Sequence, residues 1–347
     1  MKKQIINDII PFLLEWYFKY KRDLPWRKAQ DAYHIWISEI MLQQTRVEAV
    51  IEYYNRFLKE VPNLNALATI SEDQLLKLWQ GLGYYSRARN LKKTALILVE
   101  QGKDTLPNQY AELLKLPGIG TYTAGAIASI AYQEPVPAVD GNVLRVITRI
   151  LGAYDDIADP KTKTKYKELL KSYIPKEQPG DFNQAMMELG ATICIPNGMP
   201  RCNICPVALF CQAYHKGLLA QLPVKTKKQK RKVIFKTVFV MRYQDKYAIQ
   251  KRPDKGLLAS LYEFPNIDET FTLEELKLYL TEQNVNFTEI VSLDTYSHIF
   301  THLEWNMQGY LIELKEQPNE NYIWATKEEL ESIYSLPTAF VHFLEKL

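Results

Sequence analysis

Along the first two thirds of the chain, apolar residues recur three and four positions apart, and short polar breaks separate the runs. That period belongs to helices with one buried stripe, so residues 5–215 are predicted to form helices joined by short turns. Asp31 is placed to cap a helix through "AYHIWISEIML". Thr45 and Glu48 form a T-x-x-E capping box opening the next helix, from Arg46 to about Leu58, which leaves Gln43 and Gln44 at a break between helices. Ser71 and Gln74 form a second box, opening a helix to Trp79, and glycines 81 and 83 mark the turn in "GLGYYSRARN". From Val233 the pattern changes. "VIFKTVFVMR", "YAIQKR" and "WNMQGYLIEL" read as strands, and Thr272 with Glu275 opens a helix to about Gln283. The predicted organisation is multidomain: an all-α region over 1–215, a basic linker over 216–232, and a small α/β domain over 233–347.

The chain of 347 residues is long enough for two or three domains. No stretch approaches 18 uncharged apolar residues, so no membrane span is expected. Asp8 and Glu15 interrupt the N-terminal apolar run and no small-residue cleavage site follows, so a signal peptide is not expected and a cytoplasmic location is. The net charge of +3 is unevenly spread. Residues 1–224 carry +5, "KTKKQKRK" at 225–232 adds six Lys/Arg, and 233–347 carries −8. A basic front suits an anionic polymer; an acidic back does not.

All four cysteines fall in "CIPNGMPRCNICPVALFC", spaced C-x7-C-x2-C-x5-C. Clustered thiols in a reducing compartment point to a metal. One short CxxC knuckle and a long apolar last gap favour a 4Fe–4S cluster over tetrahedral zinc, and zinc stays as the alternative. Either would act structurally, through Cys194, Cys202, Cys205 and Cys211.

"LPGIGTYTAG" (116–125) follows a helical pattern instead of a strand and lacks the third glycine of a dinucleotide loop. Two readings stay open: a helix–hairpin–helix, with backbone N–H groups near Gly118 and Gly120 forming a phosphate site, or a plain tight αα-hairpin. Glu39 sits among Ile37, Ile40, Met41 and Leu42, where the charged carboxylate is disfavoured and a general acid becomes possible. A boundary glutamate is the competing reading. Asp140 precedes the apolar helix of "PAVDGNVLRVITRIL", as an N-cap would. An acid in an apolar setting with a carboxylate kept ionised by backbone N–H groups would suit glycosidic bond cleavage.

Taken together, "LPWR", "SEIMLQQT", "GLGYYSRARN", "LPGIGTYTAGAI", "PAVDGNVLR", "FNQAMMELGA" and the cysteines closely resemble the MutY family of adenine DNA glycosylases, in the helix–hairpin–helix base-excision superfamily. The resemblance implies an all-α region holding a 4Fe–4S cluster, and removal of adenine mispaired with 8-oxoguanine or guanine in duplex DNA. It implies that Glu39 protonates the adenine, that Asp140 stabilises the sugar cation, and that Asn142 positions sugar or water. Tyr122 takes the place of the nucleophilic lysine of endonuclease III. Arg22, Trp26, Arg27, Leu42 and Gln184 would line the adenine pocket. Gln44 and Tyr84 would fill the gap in the duplex, with Thr45 and Leu82 near the opposite base. "GLLASLYEFP" and the strands resemble the Nudix-like C-terminal domain of that family, whose 8-oxoguanine loop matches His298, Phe300, Thr301 and His302. The glutamate cluster of a working Nudix hydrolase is lacking in "NIDETFTLEELKLYLTEQ", so nucleotide hydrolysis is not expected. The first cysteine gap has seven residues where the family usually has six, and Gln184 stands where glutamate also occurs. A monomer, nucleoid-associated, is expected.

The alternative is a bifunctional oxidised-pyrimidine glycosylase and lyase of the endonuclease III type. Lysine can form a Schiff base with an opened sugar and tyrosine cannot, so Tyr122 counts against it. A non-catalytic damage-binding module and a Nudix-type hydrolase are further competitors.

Overall fold

The computed structural model describes residues 2–29, 31–226, 230–317 and 322–347. Its helices are α1 (Lys2–Tyr20), α2 (Ala32–Met41), α3 (Val47–Glu60), α4 (Leu64–Thr69), α5 (Glu72–Leu78), α6 (Ser86–Glu100), α7 (Tyr110–Leu113), α8 (Thr121–Tyr132), α9 (Gly141–Ile150), α10 (Pro160–Lys171), α11 (Pro179–Thr192) and α12 (Gln212–His215). The C-terminal third holds β1 (Lys232–Tyr243), β2 (Lys246–Lys251), β3 (Tyr262–Glu263), β4 (Asn266–Ile267), α13 (Leu273–Glu282), β5 (Phe287–Ile299), β6 (Leu303–Leu314), β7 (Ile323–Thr326), α14 (Lys327–Ser332) and α15 (Thr338–Leu344).

Contacts divide the chain into two compact units, and the division differs from the linear reading. One unit is Met1–Thr69 with Asn90–Lys227; the other is Ile70–Arg89 with Lys228–Leu347. Residues 70–89, helical by sequence, pack with the C-terminal third through long-range contacts that no local pattern records. Most of the expected linker stays with the first unit. Val224 pairs with Asp156 as an isolated bridge, and the Thr226 amide donates to the Asp156 carboxylate at 3.2 Å. Residues 227–229 of the basic run lie outside the described residues.

The first unit is helical. Ile6, Ile9, Leu13 and Tyr17 form one stripe of α1 and are buried against Val143 and Ile147 of α9 and Phe182, Met186 and Leu189 of α11. In α2 nearly every residue is buried, which follows from its almost unbroken apolar sequence. In α8 the run Ala124, Ala126 and Ala128 is fully buried. Gly125 lets the 137–138 backbone lie directly on α8, since a Cβ there would come within 2.8 Å of the Pro137 carbonyl oxygen.

The second unit is built on a mixed sheet in the order β3-β2-β1-β6-β5, with β4 paired to β1 and β7 to β2. β1 and β6 run parallel; β5 and β6 form a long antiparallel hairpin. One face packs on α14 and α15 through Phe340 and Phe343, the other on α13 through Leu276 and Leu280.

The Asp31 cap and the Ser71–Gln74 and Thr272–Glu275 boxes form as expected. The Thr45–Glu48 box does not. Gln44 is left-handed (φ 61°), the Thr45 hydroxyl turns back to the Gln43 carbonyl at 3.5 Å, and Arg46 becomes the N-cap with no side-chain bond. The helix starts one residue too late for the box register. A third box, Thr326–Glu329 opening α14, was not anticipated.

Gly125→Ala is expected to cost roughly 1–3 kcal/mol through its collision with the Pro137 carbonyl. Gly141→Ala, whose Cβ would meet no atom within 4 Å, is expected to be near neutral. Thermal unfolding of the two variants checks the contrast.

Candidate active site

A cavity of about 1170 Å³ opens in the first unit where the C-terminal end of α2 faces the starts of α8 and α9 and one side of α11. Glu39 lies in the last turn of α2 and is 7% exposed. Tyr122 is the second residue of α8, and its hydroxyl donates to Glu39 Oε2 at 2.6 Å and approaches Met187 Sδ at 3.4 Å. Burial pushes the Glu39 carboxyl up to about 7, the Tyr122 hydrogen bond opposes this, and the Asp140 charge adds to it.

Asp140 is the N-cap of α9. Its Oδ1 accepts from the Val143 amide at 2.8 Å, and its Oδ2 accepts from Asn142 Nδ2 at 2.7 Å. These bonds favour the carboxylate, as expected from the sequence, but burial outweighs them and the pKa lies above the ordinary aspartate value. The N-cap and site readings of Asp140 are therefore the same geometry. Asn142 Oδ1 in turn accepts from Arg145 Nη2 at 2.8 Å, and Arg145 donates to the Gly190 and Cys194 carbonyls.

On α11, Gln184, Met187, Glu188 and Ala191 lie three and four apart and all face the cavity. Arg22, Trp26, Arg27 and Leu42 also line it. Glu188 was missed by the sequence reading. Its side chain is 1% exposed and accepts from Arg22 Nε at 2.7 Å, Arg22 Nη2 at 2.9 Å and Arg27 Nη2 at 2.8 Å. The two guanidiniums hold its carboxyl below the usual glutamate value, against burial. The available signal was an acidic residue one turn beyond Gln184 on the same face of the helix. Arg27 Nε is buried and has no partner among the described residues.

Gln44 and Thr45 line the cavity, with Gln44 exposed and held in the left-handed region. Gly118 is also left-handed (φ 76°) and a Cβ there would meet Asn90 Cβ at 2.6 Å; Gly120 is the N-cap of α8. The loop between two helices has the helix–hairpin–helix form, and both glycines line the cavity.

The four cysteines line a second, small cavity of about 20 Å³, where Arg149 Nη1 lies 3.2 Å from Cys194 Sγ. Among the described residues no three His, Cys, Asp or Glu side chains form a single-ion site.

The other predicted residues belong to the second unit. Tyr84 is left-handed (φ 47°) and 46% exposed, and its hydroxyl pairs with the Thr301 hydroxyl at 2.8 Å. Leu82 is buried at 5%, so of these two only Tyr84 is presented outward. Phe300, Thr301 and His302 form the tip of the β5–β6 hairpin, closed by the Phe300 amide donating to the Leu303 carbonyl at 2.8 Å. Phe300 stacks edge-on between His298 (4.6 Å) and Trp305 (4.8 Å).

A glycine-turned hairpin, a buried acid and a capped aspartate around one cavity define the class of helix–hairpin–helix base-excision glycosylases. Residues 37–176 match the model of the HhH-GPD superfamily base excision DNA repair proteins, and residues 237–346 match the NUDIX domain. The chain belongs to the adenine DNA glycosylase family, enzymes that act on N-glycosyl bonds. It is 37% identical to the adenine DNA glycosylase of Buchnera aphidicola (Schizaphis graminum), over 87% of this chain and 86% of that one. It is 33% identical to the human adenine DNA glycosylase, over 92% and 70%. Against the Arabidopsis thaliana adenine DNA glycosylase, at 38% identity over 84% of this chain, it spans 55% of the relative's length. A thermostable thymine-DNA glycosylase superposes with a TM-score of 0.55 at 27% identity, over 61% of this chain and 98% of that one.

The raised Glu39 pKa has a stability consequence. An unfolded glutamate near 4.5 releases its proton before the folded one near 7, so this group's contribution is lost as pH rises from 4.5 to 7. Glu39→Gln removes that loss, which is on the order of 3 kcal/mol. The variant is expected to unfold at a higher temperature than the unaltered chain at pH 8, and at about the same temperature at pH 4.

Proposed function

We propose that this chain hydrolyses the N-glycosidic bond of adenine paired with 8-oxoguanine, or with guanine, in duplex DNA, and leaves the strand intact. The observation that carries the proposal is Glu39: a buried carboxyl of pKa about 7, held by Tyr122 in the same cavity as Asp140. A base inside a duplex is out of reach of such a cavity and must be extruded, at a cost of a few kcal/mol. Gln44 would fill the gap left in the stack, and Tyr84 would wedge beside the opposite base.

In the pocket the protonated Glu39 gives its proton to adenine N7. The C1′–N9 bond breaks, its electron pair leaves with the base, and the Asp140 carboxylate stabilises the oxocarbenium ion on the sugar. Asn142, fixed by Arg145, orients the sugar or the attacking water. Water adds to C1′ and its proton returns to the emptied Glu39. Arg22 and Arg27, locked by Glu188, would present their remaining guanidinium donors to the base. Tyr122 offers a phenol where a Schiff base needs an amine, which favours hydrolysis over strand cutting.

Cys194, Cys202, Cys205 and Cys211 would hold a 4Fe–4S cluster. The four thiols line one cavity, a donor set that would suit an iron–sulfur centre, with zinc as the alternative. Ligation would contribute folding free energy to this loop. The hairpin tip with Phe300, Thr301 and His302, aided by His298, would recognise 8-oxoguanine.

On a duplex with adenine opposite 8-oxoguanine, the expected products are free adenine and an intact strand that breaks only after alkali. Glu39→Gln is expected to slow base release by about 10²–10⁴. Rapid strand scission with a borohydride-trapped enzyme–DNA adduct would overturn the proposal. Purified protein is expected to be yellow-brown, and a colourless protein carrying zinc would refute the cluster.

A further inference from the structure

Residues 70–89 fall inside the segment that matches the base-excision family model, yet they pack with the C-terminal unit. The contacts are specific. Lys77, on α5, donates from Nζ to the carbonyls of Leu330 (3.4 Å) and Tyr334 (3.0 Å). Those carbonyls lie at the C-terminal end of α14, where the following amides of Ile333 and Tyr334 both turn back to the Glu329 carbonyl. An ammonium there meets the Leu330 carbonyl and the Tyr334 carbonyl, which also accepts the Leu336 amide at 3.2 Å, at the negative end of the helix dipole. Gln80 Nε2 donates to the Leu336 carbonyl at 2.9 Å. Asp73 closes a second contact, with Lys251 Nζ at 2.7 Å and the Tyr262 hydroxyl at 3.3 Å. Tyr262 stacks edge-on with Tyr334 at 4.8 Å, so the two contacts share one cluster.

The turn that follows α5 is braced from within. Trp79 Nε1 donates to the Gly83 carbonyl at 3.2 Å, and Arg87 Nη2 donates to the carbonyls of Leu82 and Gly83, both at 3.0 Å. A left-handed Tyr84 costs on the order of 1–3 kcal/mol and persists only where its surroundings fix it. The braced turn moves as one piece, tied on one side to α5 and on the other to the Thr301 hydroxyl through Tyr84 and to the Ala259 carbonyl through Arg89.

We propose that Lys77 and Gln80 are positioning residues for opposite-base recognition: they fasten α5 to the 330–336 segment and so set where Tyr84 stands relative to Thr301 in the hairpin tip. The inference rests on the proposed function, in which Tyr84 and the tip meet the opposite base. Neither residue touches the DNA base or the reacting atoms. Their loss changes discrimination between opposite bases and leaves the chemical step alone.

The test uses the full-length protein as Lys77→Met with Gln80→Leu, together with Lys77→Arg, which keeps a donor. In the double variant, amide hydrogen exchange over 81–85 is expected to rise at least tenfold, with exchange over α8 unchanged. The ratio of adenine release opposite 8-oxoguanine to that opposite guanine, read in single turnover at enzyme concentrations well below saturation, where recognition enters the rate, is expected to fall at least tenfold. Release opposite 8-oxoguanine at saturating enzyme is expected to stay within threefold, and Lys77→Arg to restore most of the ratio. A folded double variant with unchanged exchange and ratio overturns the proposal, as does an equal fall on both duplexes. Should the double variant fail to fold, Gln80→Leu alone with unchanged exchange and ratio overturns it equally. An unaltered chain that releases no adenine from either duplex contradicts the proposed function instead, and the exchange measurement still decides the positioning role.

Discussion

The hydrogen bond from the Tyr122 hydroxyl to the Glu39 carboxyl, buried at the junction of α2 and α8, is the contact on which the site depends. Burying a carboxyl without compensation favours its neutral form. Here burial keeps the group protonated to about pH 7, as its proposed role as proton donor to a leaving base requires. The surrounding fold serves that end. α2 is apolar along almost its whole length, so Glu39 has no route to solvent except the cavity. Gly125 lets the 137–138 backbone lie against α8, which delivers Asp140 to the same cavity.

The two carboxyls are treated differently. Asp140 receives an amide and a side-chain amide; Glu39 receives one phenol. Each environment raises its group through burial, but the cap opposes this at Asp140, and Asp140 charge pushes Glu39 higher still. The proposed acid-assisted departure of a base would use this pair with Glu39 protonated and the capped Asp140 as the carboxylate. Glu188 adds a third carboxyl with the opposite shift. Two guanidiniums keep it ionised, and it keeps them in place.

Much of this was legible in the sequence because its parts sit at helix ends. Asp31, Asp140, Ser71 and Thr272 announce themselves as caps by residue type and offset, and each forms its bond. Glu39 stands out as one acid in an apolar run. Glu188 was not legible in the same way, because its partners Arg22 and Arg27 lie more than 160 residues away in the chain. The Thr45 box failed because a left-handed Gln44 displaced the helix start by one residue, a backbone feature without a residue-type signal at glutamine. The assignment of 70–89 to the C-terminal unit was hidden for the reason that hid Glu188. Lys77, on a short helix, and Gln80, in the turn after it, look like ordinary polar positions until their acceptors, some 250 residues on, are in view.

The central claim is that Glu39 is held neutral near neutral pH and is the proton donor. Infrared difference spectroscopy on protein carrying ¹³C-labelled glutamate tests it most directly. A carboxylic acid C=O band that is present at pH 6, titrates with a midpoint near 7 and disappears in Glu39→Gln is the predicted result. A Glu39 carboxyl already ionised at pH 5 would contradict the account.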